Sequence, residues 1–355
     1  MRTLFRGGRV FDGSGAPLSD ADLVIDDGRI VAVGTGLDGD EAIECEGKSL
    51  LPGLFDCHIH LMGRYEDDEL TVTHRPFSYA FYAAPANLRT TLALGITTVR
   101  DAGGADLGLK RAVEDGVIPG PRMQIAVTML SQTGGHNDPW LPSGGFFSPT
   151  DDPMHPHFAQ DELDQIVRTA ADLERPVMAH AHSPESIKRA VRAGVRSIEH
   201  GTYLDQESAE MMVERGTWLV PTLTAGDTTE ELAKDPKLAP EIRAKFEGLG
   251  RPEFDAMQLA AEAGVKVAMG TDCPVAPHGW NLNELAHMAA NGFTPVEALV
   301  AATSSAAELI GLEDRLGSLA PGKIADVVVV DGDPFEFPKL KDRIEQVWKD
   351  GVRVV

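Results

Sequence analysis

The chain has 355 residues, 43% of them hydrophobic, with 55 acidic against 32 basic side chains and a formal charge of −23. That is enough apolar material for one barrel-sized domain and a smaller one, and the acidic field repels nucleic acid and anionic membrane surfaces, which excludes them as natural partners. Three scattered cysteines, Cys45, Cys57 and Cys273, do not make a disulfide framework; with no apolar signal core in MRTLFRGGRVFDGSG and no run near the roughly 18 apolar residues of a membrane span, a soluble cytoplasmic protein is expected.

Residues 1 to 50 read as short strands. LVIDDGRIVAVG sets an Asp-Gly turn between two β-rich runs, the pattern of a tight hairpin, and the far end repeats it in ADVVVVDGD and QVWKDGVRVV. Neither end has strands enough to bury a core alone, so residues 1–50 and 318–355 are expected to meet in one small β-sandwich.

Between them, strand-like runs at 51–58, 96–101, 123–127, 176–180, 196–200, 218–222 and 266–272 alternate with helical segments such as DELDQIVRTAADLE, PESIKRAVRAG, DQESAEMMVERG and PEFDAMQLAAEAG. Several of these close on a Gly at the C-terminal position. Alternation of this kind predicts an α/β fold of parallel βα units, a TIM-like (β/α)8 barrel over 51–317 that is one unit short. Residues 128–160 carry no periodicity, an unusual length of loop inside a compact domain.

Polar residues suited to metal binding stand where the strands stop. His58 and His60 end LLPGLFDCHIH at i, i+2, on one side of a strand. His180 ends VMAHAH, His200 lies in SIEHG and Asp272 in AMGTD. In a (β/α) barrel these strand ends open on one face, so four imidazoles and a carboxylate form a plausible shell for one or two zinc-type ions. A lone His at a strand end is more often a hydrogen-bonded structural residue; the placement of all five together is what favours a metal.

At these residues the chain resembles the metal-dependent amidohydrolase superfamily: LPGLFDCHIH is similar to its first-strand signature, and HAH, IEHG and GTD to its fifth, sixth and eighth strand motifs. GSLAPGKIADVVVVDGDP resembles the return of the chain into the small sandwich, and SQTGGHNDPW, MAHAHSPESIKRAVRAGVRSIEHGTYLD and GTDCPVAPHGWNLNELAHM most resemble the imidazolonepropionase-related branch with its prolidase-like and other aminoacyl dipeptidases. The resemblance implies that His58 and His60 bind the more buried metal with Asp272, that His180 and His200 bind the second, and that Asp272 is the general base. It also implies a homo-oligomer acting on a small molecule or dipeptide. His136 in GGHND matches a family position near the substrate carbonyl, where it would stabilise an oxyanion. Tyr203 is a candidate for binding a substrate carboxylate. His182, on the same side as His180 by strand parity, is a candidate for substrate binding or for supporting the ligands, and His278 either lines the pocket or caps a turn.

One family feature is missing. The resemblance implies a carbamylated lysine bridging both metals at the end of the fourth strand, but no lysine occurs between Lys110 and Lys188, and Lys110 belongs to a helical segment. The βα unit expected around PSGGFFSP is absent. Either a segment of the molecule lies outside this chain, making 144–147 a junction, or the unit is truly deleted; the need to close a barrel favours the first.

The expected function is water activation by zinc for cleavage of an amide bond in a dipeptide or N-acyl amino acid with a free carboxylate. A cyclic amidohydrolase or deaminase with the same metals is the second reading, and a catalytically dead binding homologue the third.

Overall fold

Two Asp-Gly turns at opposite ends of the chain build one sheet. In the computed structural model, which describes residues 1–65, 75–131, 152–236, 238, 240–247 and 250–355, strands β1 (Thr3–Val10), β2 (Ser19–Asp26), β3 (Arg29–Gly34), β4 (Glu41–Glu44) and β5 (Lys48–Pro52) come from the N-terminal part. Asp27 and Gly28 both take positive φ, 47° and 73°, between the paired residues Asp26 and Arg29. That is the geometry a two-residue hairpin turn requires.

The expected strand 51–58 is in fact two. The chain leaves the sheet at Pro52, and β6 (Leu54–Ile59) begins after Gly53. A Cβ on Gly53 would lie 2.2 Å from Thr97 Oγ1 and 2.8 Å from Asp326 Cβ, so only glycine lets the chain pass between these two side chains. β6 pairs in parallel with β7 (Ile96–Asp101), and β7 with β8 (Arg122–Ile125). A second parallel set joins β9 (Met178–Ala181), β10 (Ser197–His200) and β11 (Trp218–Val220).

The helices lie largely where periodicity predicts: α1 (Tyr79–Ala93), α2 (Leu107–Glu114), α3 (Gln160–Ala171), α4 (Pro184–Ala193), α5 (Gln206–Arg215), α6 (Leu223–Leu232), α7 (Pro240–Phe246), α8 (Gly250–Ala263), α9 (Asn283–Ala290), α10 (Pro295–Ala301), α11 (Ser304–Leu309) and α12 (Phe337–Arg343). Gly194 and Gly216 end α4 and α5 in the left-handed conformation.

No continuous strand forms over 266–272. Instead Val267 bridges Leu219 and Cys273 bridges Ile59, both in parallel sense. Backbone bonds from Leu219 N to Lys266 O (2.8 Å) and from Cys57 N to Met269 O (2.8 Å) stitch β11 to β6, joining the two three-stranded sets on one side. On the other side β8 and β9 have no mutual pairing among the described residues. Burial records the gap: β6, β7, β10 and β11 are buried throughout, while three of four residues in β8 and in β9 are not. Helix α3, strongly amphipathic in sequence, buries no residue fully.

The chain returns through β12 (Val327–Asp331), β13 (Ile344–Lys349) and β14 (Val352–Arg353), completing the sheet order β14-β13-β12-β5-β1-β2-β3 with β4 beside β1. The run VVVV in β12 is explained by burial on both faces. Val327 and Val329 join the sheet's own core, and Val328 and Val330 join the barrel's. Arg122 fastens the two parts, reaching Asp326 at 3.0 Å and Asp350 at 2.7 Å.

Candidate metal centre

The carboxyl ends of the strands carry the polar residues, and the backbone there is strained. His200, Thr222 and Asp272 take φ values of 70°, 53° and 57°, a region costly for residues with a side chain. Each sits where a strand or its continuation turns into the loop. Gly270 permits the close fit beneath them: a Cβ there would lie 2.3 Å from Val220 Cγ1 and 2.8 Å from His58 Cβ.

Two groups of candidate ligands result. One ligand atom each from His58, His60 and Asp272 lies within 4.8 Å of the others, and the same holds for His180, His182 and His200. The groups adjoin, with the His58 and His200 rings 5.0 Å apart between centroids. Thus five residues expected from sequence are brought together, and His182, expected in a supporting or substrate-binding place, stands inside the second group. His136 and residues 144–147 lie outside the described residues. Tyr203 does not line the cavity in front of the histidines; its ring packs beside Phe246 and Leu232. His278 is set apart too, in a smaller pocket with Tyr65, Tyr79 and Tyr82.

The hydrogen bonds fix which nitrogen each ring presents. His58 Nδ1 donates to Glu199 Oε2 at 2.8 Å and His60 Nδ1 donates to the Gly103 carbonyl at 2.9 Å. Their Nε2 atoms therefore face Asp272 Oδ1, at 3.3 and 3.2 Å. Burial disfavours a charged imidazole here, but Asp272 and Glu199 overcome it and raise His58 to about 10. Burial likewise raises the Asp272 carboxyl, yet His58 and His60 hold it well below the ordinary range. Donors this concentrated, with Nδ1 tied back to acceptors and Nε2 converging on a carboxylate, fit a divalent ion in the place the shared protons now hold.

Several residues that sequence reading passed over hold this arrangement. Asp56, fully buried at i−2 from His58, accepts from His58 N, Thr271 N, Thr271 Oγ1 and Asn281 Nδ2, tying β6 to the turn bearing Asp272. Arg100 reaches Glu199 Oε1 at 2.9 Å, the Cys57 carbonyl and Ser197. His200 Nδ1 lies 2.7 Å from Thr222 Oγ1, and Glu284 fastens the segment after Thr222 by accepting from the Leu223 and Thr224 amides. Strand parity alone would have found Asp56, and Glu199 is the carboxylate of the short buried strand SIEH, just before His200.

A cavity of about 1810 Å³ opens before these six side chains and continues between β8 and β9, lined along its way by Met123, Ile125, Met178 and Ala179. The lysine that the family motif would supply has no counterpart here. Lys110 is engaged elsewhere, with the Met123 carbonyl and Glu114.

The model of the Amidohydrolase family matches residues 49–354. The chain belongs to the amidohydrolase family. It is a hydrolase acting on carbon–nitrogen bonds, with the barrel fold of its structural neighbours. This amidohydrolase is 31% identical to ochratoxinase of Aspergillus niger, over 98% of this chain and 86% of that protein. That alignment runs over 421 residues, more than the 355 available here, so the relative holds segments without counterpart in this chain. A solved Xaa-Pro dipeptidase with methionine in its active site is 32% identical with a TM-score of 0.92, covering 99% of both chains. A prolidase complexed with N-methylphosphonate-L-proline is 33% identical with a TM-score of 0.92, covering 100% of this chain and 99% of the other.

Proposed function

We propose that this amidohydrolase is a zinc-type metal-dependent peptidase that cleaves the amide bond of a dipeptide or N-acyl amino acid bearing a free carboxylate. The observation that carries the reading is the pair of adjoining ligand groups at the strand ends. His58, His60 and Asp272 would hold one ion, and His180 with His200 the second. Such an ion acidifies water and polarises a carbonyl when bound.

The chain's own residues do the rest. Asp272, kept as a carboxylate beside two imidazoles, accepts a proton from the attacking water and passes it to the leaving amine. Glu199 and the Gly103 carbonyl hold His58 and His60 in the tautomer that presents Nε2. His136 is assigned to the oxyanion on motif alone, and Tyr203, three residues past His200, is kept as a candidate for the substrate carboxylate on its place in the sequence alone, since it is not among the described residues lining the cavity. We read residues 51–317 as the catalytic domain and 1–50 with 318–355 as the supporting sandwich. No helix among the described residues is long and apolar enough to cross a membrane; a cytoplasmic homo-oligomer is the setting we propose.

Support for a free-carboxylate substrate comes from the relatives, one solved with an amino acid and one with a phosphonate analogue built on proline. Product analysis on a panel of dipeptides, N-acyl amino acids and cyclic amides tests the reading. Release of a free amino acid without ammonia is expected. Ammonia as the product would mean deamination, and no turnover by metal-replete protein would overturn the proposal.

A further inference from the structure

We infer that His182 is a metal ligand, and that His180, His182 and His200 form a three-imidazole site that binds the second ion without a bridging lysine. The inference rests on the metal reading above and goes beyond it, because the motif assigns only His180 and His200.

Three observations converge. The rings are packed as a set: centroids are 4.4 Å apart for His180 and His182, 4.5 Å for His180 and His200, and 5.0 Å for His182 and His200. Their ligand atoms lie within 4.8 Å of one another.

Hydrogen bonding also fixes the tautomer of His182. Its Nδ1 lies 2.8 Å from Thr202 Oγ1, and Thr202 Oγ1 in turn donates to Glu253 Oε1 at 3.3 Å. With the hydroxyl proton committed to Glu253, the Thr202 oxygen is the acceptor and His182 Nδ1 the donor. Nε2 is then the ring atom that would ligate a cation. This is the outer-shell pattern of ligating histidines, a ring N–H anchored by a polar group. His200 has the same anchor in Thr222, two residues past β11 as Thr202 is two past β10.

Third, the site sits beside β8 and β9, which have no mutual pairing among the described residues. β9 borders the open side, and its residue His180 is exposed to the cavity. No lysine is available among residues 111–187 to contribute a carbamate. Three nitrogen ligands with an open position are a sufficient set for catalytic zinc, so a third histidine supplies what the missing lysine would have.

Cobalt titration of metal-free full-length protein tests this, read by bound equivalents, by the affinity of each equivalent and by the visible spectrum. Wild type is expected to take two equivalents, with affinities unchanged by added bicarbonate. H182N should keep the first equivalent and weaken the second by more than the roughly 10–100-fold expected on removing an outer-shell partner. T202V should weaken the second equivalent within that range, and T202S should restore it; this pair decides the matter should H182N fail to fold. A second equivalent that binds H182N and T202V as tightly as wild type, or that requires bicarbonate, overturns the inference while leaving the proposed function standing. Wild type that binds no cobalt overturns both.

Discussion

His58 Nδ1 and Glu199 Oε2, both buried, lie 2.8 Å apart beside the cavity, and the same carboxylate takes the Arg100 guanidinium. One glutamate therefore orients a candidate ligand and neutralises a buried cation. Glu199→Gln should weaken metal binding at the His58 group by roughly 10–100-fold, since an amide is the poorer acceptor. It should also lower stability by about 3 kcal/mol, because Arg100 is left buried without its counter-charge. Calorimetric titration and denaturant unfolding measure the two effects separately.

Asp272 is the candidate base, and its loss should separate binding of substrate from turnover. Asp272→Asn is expected to lower kcat on any amide substrate by about 10²–10⁴ through loss of proton transfer, with further loss where metal occupancy falls. Steady-state kinetics with metal content measured on the same sample checks it. A variant retaining wild-type kcat would remove Asp272 from the chemistry.

Glu284 gives a pH dependence whose sign is fixed by burial. Burial raises its carboxyl from 4.5 to about 7, against hydrogen bonds from Thr224 and Leu223 that favour the ionised form. The folded state thus holds its proton more tightly than the unfolded chain. Its contribution is fully present below pH 4.5 and is lost as pH rises through 7, a change of about 3 kcal/mol. Glu284→Gln, which has no proton to lose, should flatten that part of the stability profile. Denaturant unfolding at pH 5 and pH 8 compares the two proteins.

Arg122 couples the sheet to the barrel. Asp326 is nearly inaccessible, and Arg122 is its cationic partner in the structure, bonding Thr98 and Asp350 as well. Arg122→Ala should cost about 3 kcal/mol, since it strands a buried carboxylate. Asp350→Ala, at the exposed end of the same arginine, should cost less than about 1 kcal/mol.

Much of this organisation was legible in the chain. Asp-Gly turns marked hairpins because two consecutive positive φ angles need such residues, and His58 with His60 marked a strand end because alternation puts both on one face. Gly53 was misread: the apolar run passes unbroken from sheet to barrel, and the break depends on Thr97, which approaches from another strand. The run 266–272 is not a continuous strand: its hydrophobicity is that of a buried seam, held by one bridge at Val267 and by scattered backbone bonds to β6 and β11. Thr202 and Glu253 were invisible as site residues, since their importance lies in partners 20 and 51 positions away. The expected eighth unit could be recognised as absent only by counting motifs, and its structural trace is the under-buried pair β8 and β9.

Metal content per chain, by elemental analysis after dialysis of protein produced with zinc, bears most directly on the central claim. Two equivalents are expected, one for each group of three ligands. One equivalent or none would contradict a two-ion centre and, with it, the assignment of this site as that of a two-metal amide hydrolase.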